Sequence, residues 1–389
     1  MTTLSRLRRA VTLAVPIAMS ALLATACTTA DSTTPPNSSV AATTSDAAPG
    51  ELAASGKVTK TVGPNGATGV PMSDLQLTAD DIAKLKAGNY SAALLLQTTS
   101  DWSNAVTEGA KKRLAELGIS LSATSNSNYS AADQANAVKT VLAKKPSAIL
   151  TWPINPQELA PSLRQATAAG VKLAFISNLP TGFKHGSDYV GVVGDDLYGM
   201  GKVVADQLSE AIGGSGDIGF LYFNANAYVV NQRDAAFRTA IEQDHPNIKI
   251  VAKQGFSDPS QAFQMASAML LQNPSIKAIY APWAEPAAGV VQAIGSSRRN
   301  DVYVGTMDLS NTVALSLAQN GAVRGLVIDN PYGIGQAMAT EIGMALLGKE
   351  VPAYVQVPAV PITRENLLQG YRDYYSATPP KQVVDAVAK

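Results

Sequence analysis

The sequence has little of what most catalytic and metal sites require. It contains one cysteine and two histidines among 389 residues, which excludes an internal disulfide framework and disfavours cysteine-based zinc sites and histidine-dependent triads. Basic and acidic side chains are equal in number, 30 of each, so the chain lacks the excess of basic residues typical of proteins that neutralise nucleic-acid phosphates. We therefore expect no metal, no other cofactor and no nucleic-acid partner.

Long apolar runs are also absent, apart from one near the N-terminus. Arg6, Arg8 and Arg9 precede an apolar segment at residues 10–24, which is shorter than the ~20 residues of a membrane-spanning helix. This pattern is typical of a signal peptide, which we predict over residues 1–26. The small residues before Cys27 resemble a bacterial lipobox, in which the cysteine becomes lipidated. The alternative is an ordinary cleaved signal followed by an incidental cysteine.

The segment after Cys27 is poor in apolar side chains. Residues 28–57 are nearly all Thr, Ser, Ala, Pro, Gly and Asp, a composition that cannot bury enough apolar surface to offset its ordering entropy. We predict a lipidated cysteine and a flexible tether over residues 27–90, with a short helix possible within residues 73–86, and a folded body that begins near Ser91. The protein is then secreted, extracytoplasmic and held at the cell membrane by its lipid alone.

From residue 91 onward, short apolar runs alternate with helical patterns. In the helix predicted at residues 104–117, Val106, Ala110, Leu114 and Leu117 follow one another at helical spacing. Asn155 and Pro156 supply a cap and a first-turn proline for another helix. Strands are predicted at residues 91–97, 119–123, 148–152, 171–177, 216–223, 248–253, 278–281, 302–306 and 324–328. This alternation predicts an α/β protein with two doubly wound parallel sheets.

In open α/β sheets, ligands bind beyond the carboxyl ends of the strands. The residues of interest directly after the predicted strands are Asp101, Trp102, Trp152, Asn178, Asn226, Trp283, Asp308 and Asp329. Aromatic rings stack on the C–H faces of sugars, while carboxylates and amides bind their hydroxyls. This set favours a cleft for a sugar or polyol. Each tryptophan could instead pack in a core, and each aspartate could instead cap the next helix, as Asp308 could before Ser310.

Five segments occur in the order and spacing of a known protein family. They are residues 189–208 (YVGVVGDDLYGMGKVVADQL), 231–237 (NQRDAAF), 303–308 (YVGTMD), 325–335 (GLVIDNPYGIG) and 357–366 (VPAVPITREN). Together they resemble the type I periplasmic binding proteins of the ribose-binding branch, which serve sugar ABC transporters. The resemblance covers nearly all of residues 91–368.

The resemblance implies roles for individual residues. Trp102 takes the position of a ring that stacks on the sugar, and Arg233 and Asp308 match a ligand arginine and aspartate. Asn178 and Leu179 replace an aspartate and an arginine. Trp283 replaces an asparagine, and Asp329 replaces a glutamine. These departures make ribose itself a poor fit and leave open a polyol, a deoxy or methylated sugar, or a less polar ligand.

The resemblance also implies two lobes joined by three crossings. The first lobe would comprise residues 91–194 plus 330–354, and the second residues 195–329 plus 355–389. A ligand that bridges both lobes would stabilise the closed state, which an ABC permease with its ATPase then recognises. The resemblance also implies that the protein is a monomer.

Other functions either fit the sequence less well or stay open. An enzyme is disfavoured because no nucleophile, acid–base pair or metal set stands out, and adjacent Asp195 and Asp196 are typical of helix capping. A repressor of the same fold would need a helix-turn-helix where this chain has a signal peptide. A receptor for a sensor kinase or chemoreceptor, or a binder of a non-sugar small molecule, stays open.

Overall fold

The computed structural model describes residues 56–225 and 227–389. The predicted signal peptide, Cys27 with its lipidation, the first part of the predicted tether and Asn226 lie outside these ranges. Among the described residues, no helix is both long and apolar enough to cross a membrane.

The first lobe is built on a parallel sheet. Its strands, within the described residues, are β1 (Val70–Pro71), β2 (Ser91–Leu96), β3 (Ser120–Asn126), β4 (Ala148–Thr151), β5 (Lys172–Ile176), β6 (Gly191–Asp195) and β12 (Tyr354–Val357). They lie in the order β1-β12-β6-β5-β4-β2-β3. β2 and β4 are almost wholly buried, as expected for parallel strands that have helices on both faces.

The described helices of the first lobe each begin after a residue whose side chain caps them. They are α1 (Ala79–Ala87), α2 (Asp101–Glu116), α3 (Ala131–Leu142), α4 (Pro156–Ala168) and α10 (Pro331–Leu346). The side chain of Ser130 accepts the amide of Asp133 at the start of α3, and Asn155 caps α4 ahead of Pro156. Each cap satisfies an amide that the helix itself leaves unpaired.

The second lobe repeats the arrangement. Its strands, within the described residues, are β7 (Gly216–Phe223), β8 (Ile248–Phe256), β9 (Ile276–Tyr280), β10 (Tyr303–Met307), β11 (Val323–Ile328) and β13 (Val360–Pro361), in the order β13-β11-β10-β9-β7-β8. Its helices are α5 (Leu197–Ala211), α6 (Tyr228–Asp244), α7 (Ala262–Gln272), α8 (Ala284–Ser297), α9 (Asn311–Ala318), α11 (Leu367–Tyr374) and α12 (Lys381–Val387). All pairings are parallel except that of β11 with β13. The predicted α/β class with two lobes is confirmed.

From residue 72 onward, the chain passes between the lobes three times. The first crossing follows β6, the second follows β11 and the third joins β12 to β13. The third lies later than the sequence predicted: residues 355–357, assigned to the second lobe, pair with β6 in the first sheet. Val355 and Val357 are buried in the first lobe's core, and this burial holds the strand there.

Helices α2 and α10 approach each other unusually closely. A Cβ at Gly109 would lie 2.0 Å from the carbonyl oxygen of Tyr332, and one at Gly335 would lie 2.1 Å from that of Val106. Side chains at these positions would force the helices apart. The contact fixes the start of α2, which carries Trp102, relative to α10, which begins directly after the second crossing.

Residues 57–71, here called the N-terminal strap, lie within the predicted tether but pack on both lobes. On the second lobe, Val58 contacts Ala235 and Ala236 of α6, and the Thr61 hydroxyl donates to Asp196 at 2.7 Å. On the first lobe, the Asn65 amide donates to the Tyr189 hydroxyl at 3.0 Å, and β1 pairs with β12. The body therefore begins well before Ser91, and the tether boundary at residue 90 needs correction.

Residues 72–90 continue this ordered region. α1 begins at a capping box formed by Thr78 and Asp81, and Leu85 is fully buried in the first lobe's core. Asp81 also pairs with Lys349. The few apolar side chains of this region are enough for packing because each fits against a core that the rest of the lobe supplies.

Candidate functional site

A group of charged side chains lies buried where the crossings meet the second lobe. Asp195 ends β6, Asp329 follows β11, Asp308 follows β10, and Arg233 lies in α6. Arg233 Nη1 is 3.6 Å from Asp308 Oδ2. Asp195 and Asp329 lie close enough that each affects the pKa of the other. We call these four residues the charged cluster.

Burial shifts the titration of the three acids. It raises the pKa of Asp195 to about 6, with Arg233 opposing the shift. It raises the pKa of Asp329 well above its usual range, and the charges of Asp195 and Asp308 add to that effect. The pKa of Asp308 also rises through burial, against the favourable charge of Arg233. Carboxyl groups removed from water favour their neutral form unless a cation compensates.

Two tryptophans of the first lobe adjoin the cluster. The Trp102 indole N–H donates to Asp329 Oδ2 at 2.6 Å, and its ring centroid lies 4.9 Å from that of Trp152. Trp102 packs against the cores of both lobes. The predicted grouping of these rings with Asp329 is therefore present, and the two lobes are in contact at Trp102.

Trp283 lies in a separate aromatic group of the second lobe. Its ring centroid is 5.4 Å from that of Phe223, at nearly a right angle, and 5.3 Å from that of Phe256. Phe223 and Phe256 end the paired strands β7 and β8, so these rings lie at the predicted sheet edge. The sequence does not predict that Phe223 and Phe256 are neighbours, because the pairing of β7 with β8 joins segments that are distant along the chain.

The remaining predicted residues differ in position. Asn178 is half-buried and its amide donates to the carbonyl of Pro153 at 2.8 Å, next to Trp152. Asp101 is exposed in the first turn of α2, and no hydrogen bond or ion pair joins it to the charged cluster within the described part of the chain. Asn226 lies outside the described residues. Ser310, not Asp308, caps α9, which frees Asp308 for Arg233.

Asp195 is the site residue that the sequence interpretation missed. Capping was expected of both Asp195 and Asp196, and Asp196 does accept the amide of Gly199 at the start of α5. Asp195 instead ends a fully buried strand and is 5% exposed. Its place after the apolar run of β6 was the available signal, since strand ends carry ligand residues in this architecture.

Another buried acid, Asp234, lies next to Arg233 in α6 and helps to hold it in place. Asp234 accepts the hydroxyl of Tyr280 at 2.7 Å and the amide of Phe223 at 3.4 Å. These bonds connect α6 to β9 and β7. They therefore fix the part of α6 from which the neighbouring Arg233 side chain extends. Burial raises the pKa of Asp234 to about 7.

Several buried polar atoms of the site have no hydrogen-bond partner among the described residues. They are Trp152 Nε1, Arg233 Nε and one carboxyl oxygen each of Asp195, Asp308 and Asp329. Buried polar groups in folded proteins are nearly always paired. Donors and acceptors from both lobes are therefore available to a bound polar molecule. The described residues contain no group of three or more His, Cys, Asp or Glu suited to a metal ion.

The family model of the periplasmic binding protein domain matches residues 92–350. The chain belongs to this family. The first and second crossings lie within the matched region, and the N-terminal strap precedes it.

Curated relatives agree with this assignment. The ribose import binding protein of Bacillus subtilis is 24% identical over 253 residues, which cover 64% of this chain and 79% of the relative. That of Escherichia coli is 21% identical over 286 residues, covering 72% of this chain and 93% of the relative.

Solved structures show the same fold. An arabinose binding protein from Geobacillus stearothermophilus superposes with a TM-score of 0.66 at 19% identity, covering 72% of this chain and 98% of that one. A solute binding protein of an ABC transporter from Agrobacterium vitis, bound with α-D-tagatopyranose, gives a TM-score of 0.63 at 21% identity, with coverage of 72% and 96%.

Proposed function

We propose that this periplasmic binding protein captures a sugar or polyol between its lobes and delivers it to an ABC importer. The observation that carries the proposal is the set of buried, unpartnered polar atoms contributed by both lobes, Trp152 Nε1 from the first and Arg233 Nε and Asp308 Oδ1 from the second. The curated relatives are ribose import binding proteins, and a structural neighbour holds a sugar.

The position of the charged cluster at the crossings supports closure of the two lobes around a ligand. Asp195 and Asp329 stand at two of the crossings, so a ligand bound to them bridges the points about which the lobes move. Trp102 and Trp152 supply ring faces from the first lobe, while Arg233 and Asp308 supply hydrogen bonds from the second. A ligand that contacts both sets stabilises the closed state by its differential affinity for that state.

The proposed ligand residues are Asp101, Trp102, Trp152, Asn178, Asn226, Arg233, Trp283, Asp308 and Asp329. We add Asp195 to the proposal because it is buried at the end of β6. Lipidation of Cys27 would hold the protein at the outer face of the cell membrane, and the partners are the permease and ATPase subunits of the importer. A role as a ligand receptor for a sensor kinase or chemoreceptor uses the same cleft and differs in the surface that docks to the partner.

A thermal-shift screen of the purified protein tests the proposal. Pentoses, hexoses, polyols, amino acids and small aromatics are compared at equal concentration. A ligand at a hundredfold excess over its Kd stabilises the native state by ~2.7 kcal/mol, so we expect a clear rise in Tm with a sugar or polyol. A response confined to amino acids or aromatics contradicts the carbohydrate assignment and leaves the fold unchanged.

Transport and sensing are distinguished in cells. We expect a strain that lacks this protein to lose uptake of the radiolabelled ligand found in the screen, and an intact copy to restore it. Normal uptake together with loss of a ligand-induced transcriptional or swimming response supports the receptor alternative.

A further inference from the structure

The buried charges of the site do not balance. Asp195, Asp329 and Arg233 are 5%, 2% and 5% exposed, and the Asp308 side chain is 23% exposed. Three carboxyl groups thus surround one guanidinium, an arrangement with excess negative charge whenever all are ionised. Such an excess is unfavourable in a site shielded from water unless protons or another cation compensate it.

The imbalance is localised at one pair of acids. Arg233 pairs with Asp308 at 3.6 Å. Asp195 and Asp329 stand at two crossings, and each affects the pKa of the other. Asp329 accepts a hydrogen bond from the neutral indole of Trp102. The excess charge therefore lies beside the two hinge crossings, next to the tryptophan rings.

The unpartnered atoms show what kind of molecule would satisfy this region. One oxygen each of Asp195, Asp308 and Asp329 needs a donor, whereas Arg233 Nε and Trp152 Nε1 need acceptors. An ammonium group carries three donors and a positive charge, and hydroxyl or ring oxygens accept hydrogen bonds. The ring pair of Trp102 and Trp152, 4.9 Å apart, adds cation–π attraction for an ammonium nearby.

We propose that the ligand is an amino sugar or aminopolyol whose protonated amine lies between Asp195 and Asp329. Its hydroxyl and ring oxygens accept from Arg233 and Trp152. This inference rests on the proposed solute-binding function and narrows its ligand class. With a neutral sugar the excess charge is removed only by protonation of the pair, which the raised pKa values of Asp195 and Asp329 favour. A neutral sugar therefore lacks the ammonium–carboxylate attraction and binds more weakly than its amino counterpart.

Matched ligand pairs test the inference by isothermal titration calorimetry on the purified full-length chain. The pairs are glucosamine with glucose, galactosamine with galactose, mannosamine with mannose, and glucamine with glucitol. N-acetylglucosamine serves as a neutral amide of similar size. We expect at least one amine to bind tenfold or more tightly than its neutral partner, a difference of about 1.4 kcal/mol.

Two variants locate the amine. Asp329→Asn and Asp195→Asn each remove one negative charge with little change of shape, and we expect each to reduce the preference for the amine to less than about threefold. Asp80→Asn removes the same charge from an exposed position in the first turn of α1 and should leave the preference unchanged. Thermal unfolding of every variant checks that it is folded, and either cluster variant suffices if the other is not.

The outcomes separate this inference from the proposed function. If neutral sugars or polyols bind as tightly as their amines, the amine inference is overturned and the solute-binding proposal stands. If an amine is preferred but Asp329→Asn and Asp195→Asn keep that preference, the location is wrong and the inference fails. If no sugar or polyol of either kind binds, both proposals fail together.

Discussion

The two lobes contribute unlike chemistry to the same cleft. The first lobe provides the rings of Trp102 and Trp152, which lie 4.9 Å apart. The second provides the buried Arg233 and the partly exposed Asp308, which form an ion pair at 3.6 Å. Asp195 and Asp329 stand between them at the crossings.

This difference separates affinity from selectivity. Ring faces contribute through buried area and tolerate many ligands with a flat apolar face. Buried charged groups require partners at defined positions, and a ligand that fails to supply them leaves an unpaired charge. The charged side should therefore decide which ligand is accepted, while the aromatic side strengthens the binding of any accepted ligand.

The largest effect is expected from Asp308→Ala on the charged side. Removing one member of a buried pair typically costs ~2 kcal/mol or more, because the other charge stays buried without a partner, and this corresponds to a rise in Kd of about 30-fold or more. Calorimetry with the ligand found in the screen measures it. The exposed Asp301, changed to Ala, is the matched control. Unchanged affinity in Asp308→Ala would place the ligand away from the charged cluster.

A smaller effect is expected from Trp102 on the aromatic side. Trp102→Ala removes both the ring and the hydrogen bond to Asp329, and we expect a rise in Kd of about tenfold, or ~1.4 kcal/mol. Trp102→Phe keeps a ring and loses the N–H donor, so it should weaken binding less. Equal losses in the two variants would show that the hydrogen bond, and not the ring face, supports binding.

A separate effect, on folding stability and not on ligand affinity, is a dependence on pH. In the folded state, burial raises the pKa of Asp195 to about 6 and that of Asp234 to about 7, above the ~3.9 of an unfolded aspartate. The folded protein then binds protons more tightly, so the free energy of unfolding falls as pH rises from about 4 to 7. The slope is at most ~1.4 kcal/mol per pH unit for each such group.

Urea unfolding at several pH values between 4.5 and 8 measures this slope, and Asp234→Asn should reduce it. The first lobe supplies a contrast, since the pKa of Asp81 is lowered to about 2 by its hydrogen bond with Lys349. Asp81 therefore loses its stabilising interaction only as pH falls below about 4. Stability that rises with pH over the tested window would contradict the assignment of the raised pKa values.

Much of the fold could be predicted because its signals are local. Ser130 and Asn155 cap the helices that they precede, and buried strands such as β2 are continuous apolar runs. The N-terminal strap was missed for the opposite reason. Val58 and Thr61 sit in a polar segment, and their partners, Thr239 and Asp196, are far away along the chain.

The site was predicted in part on the same principle. Trp102, Trp152, Asp308 and Asp329 could be found because each follows a strand. The assembly of Asp195 with Asp329 could not, since it depends on two crossings meeting at one point. Sequence spacing shows which residues reach the sheet edge, whereas the pairing of their charges is set by tertiary packing.

The N-terminal strap has a practical consequence for following the motion of this protein. Its residues 58–62 contact the second lobe and residues 65–71 the first, so separation of the lobes must stretch or detach it. Protease cleavage within the strap should therefore slow when ligand holds the lobes together. A pair of fluorophores, one on the strap and one on the lobe it leaves, would turn the same event into an optical signal.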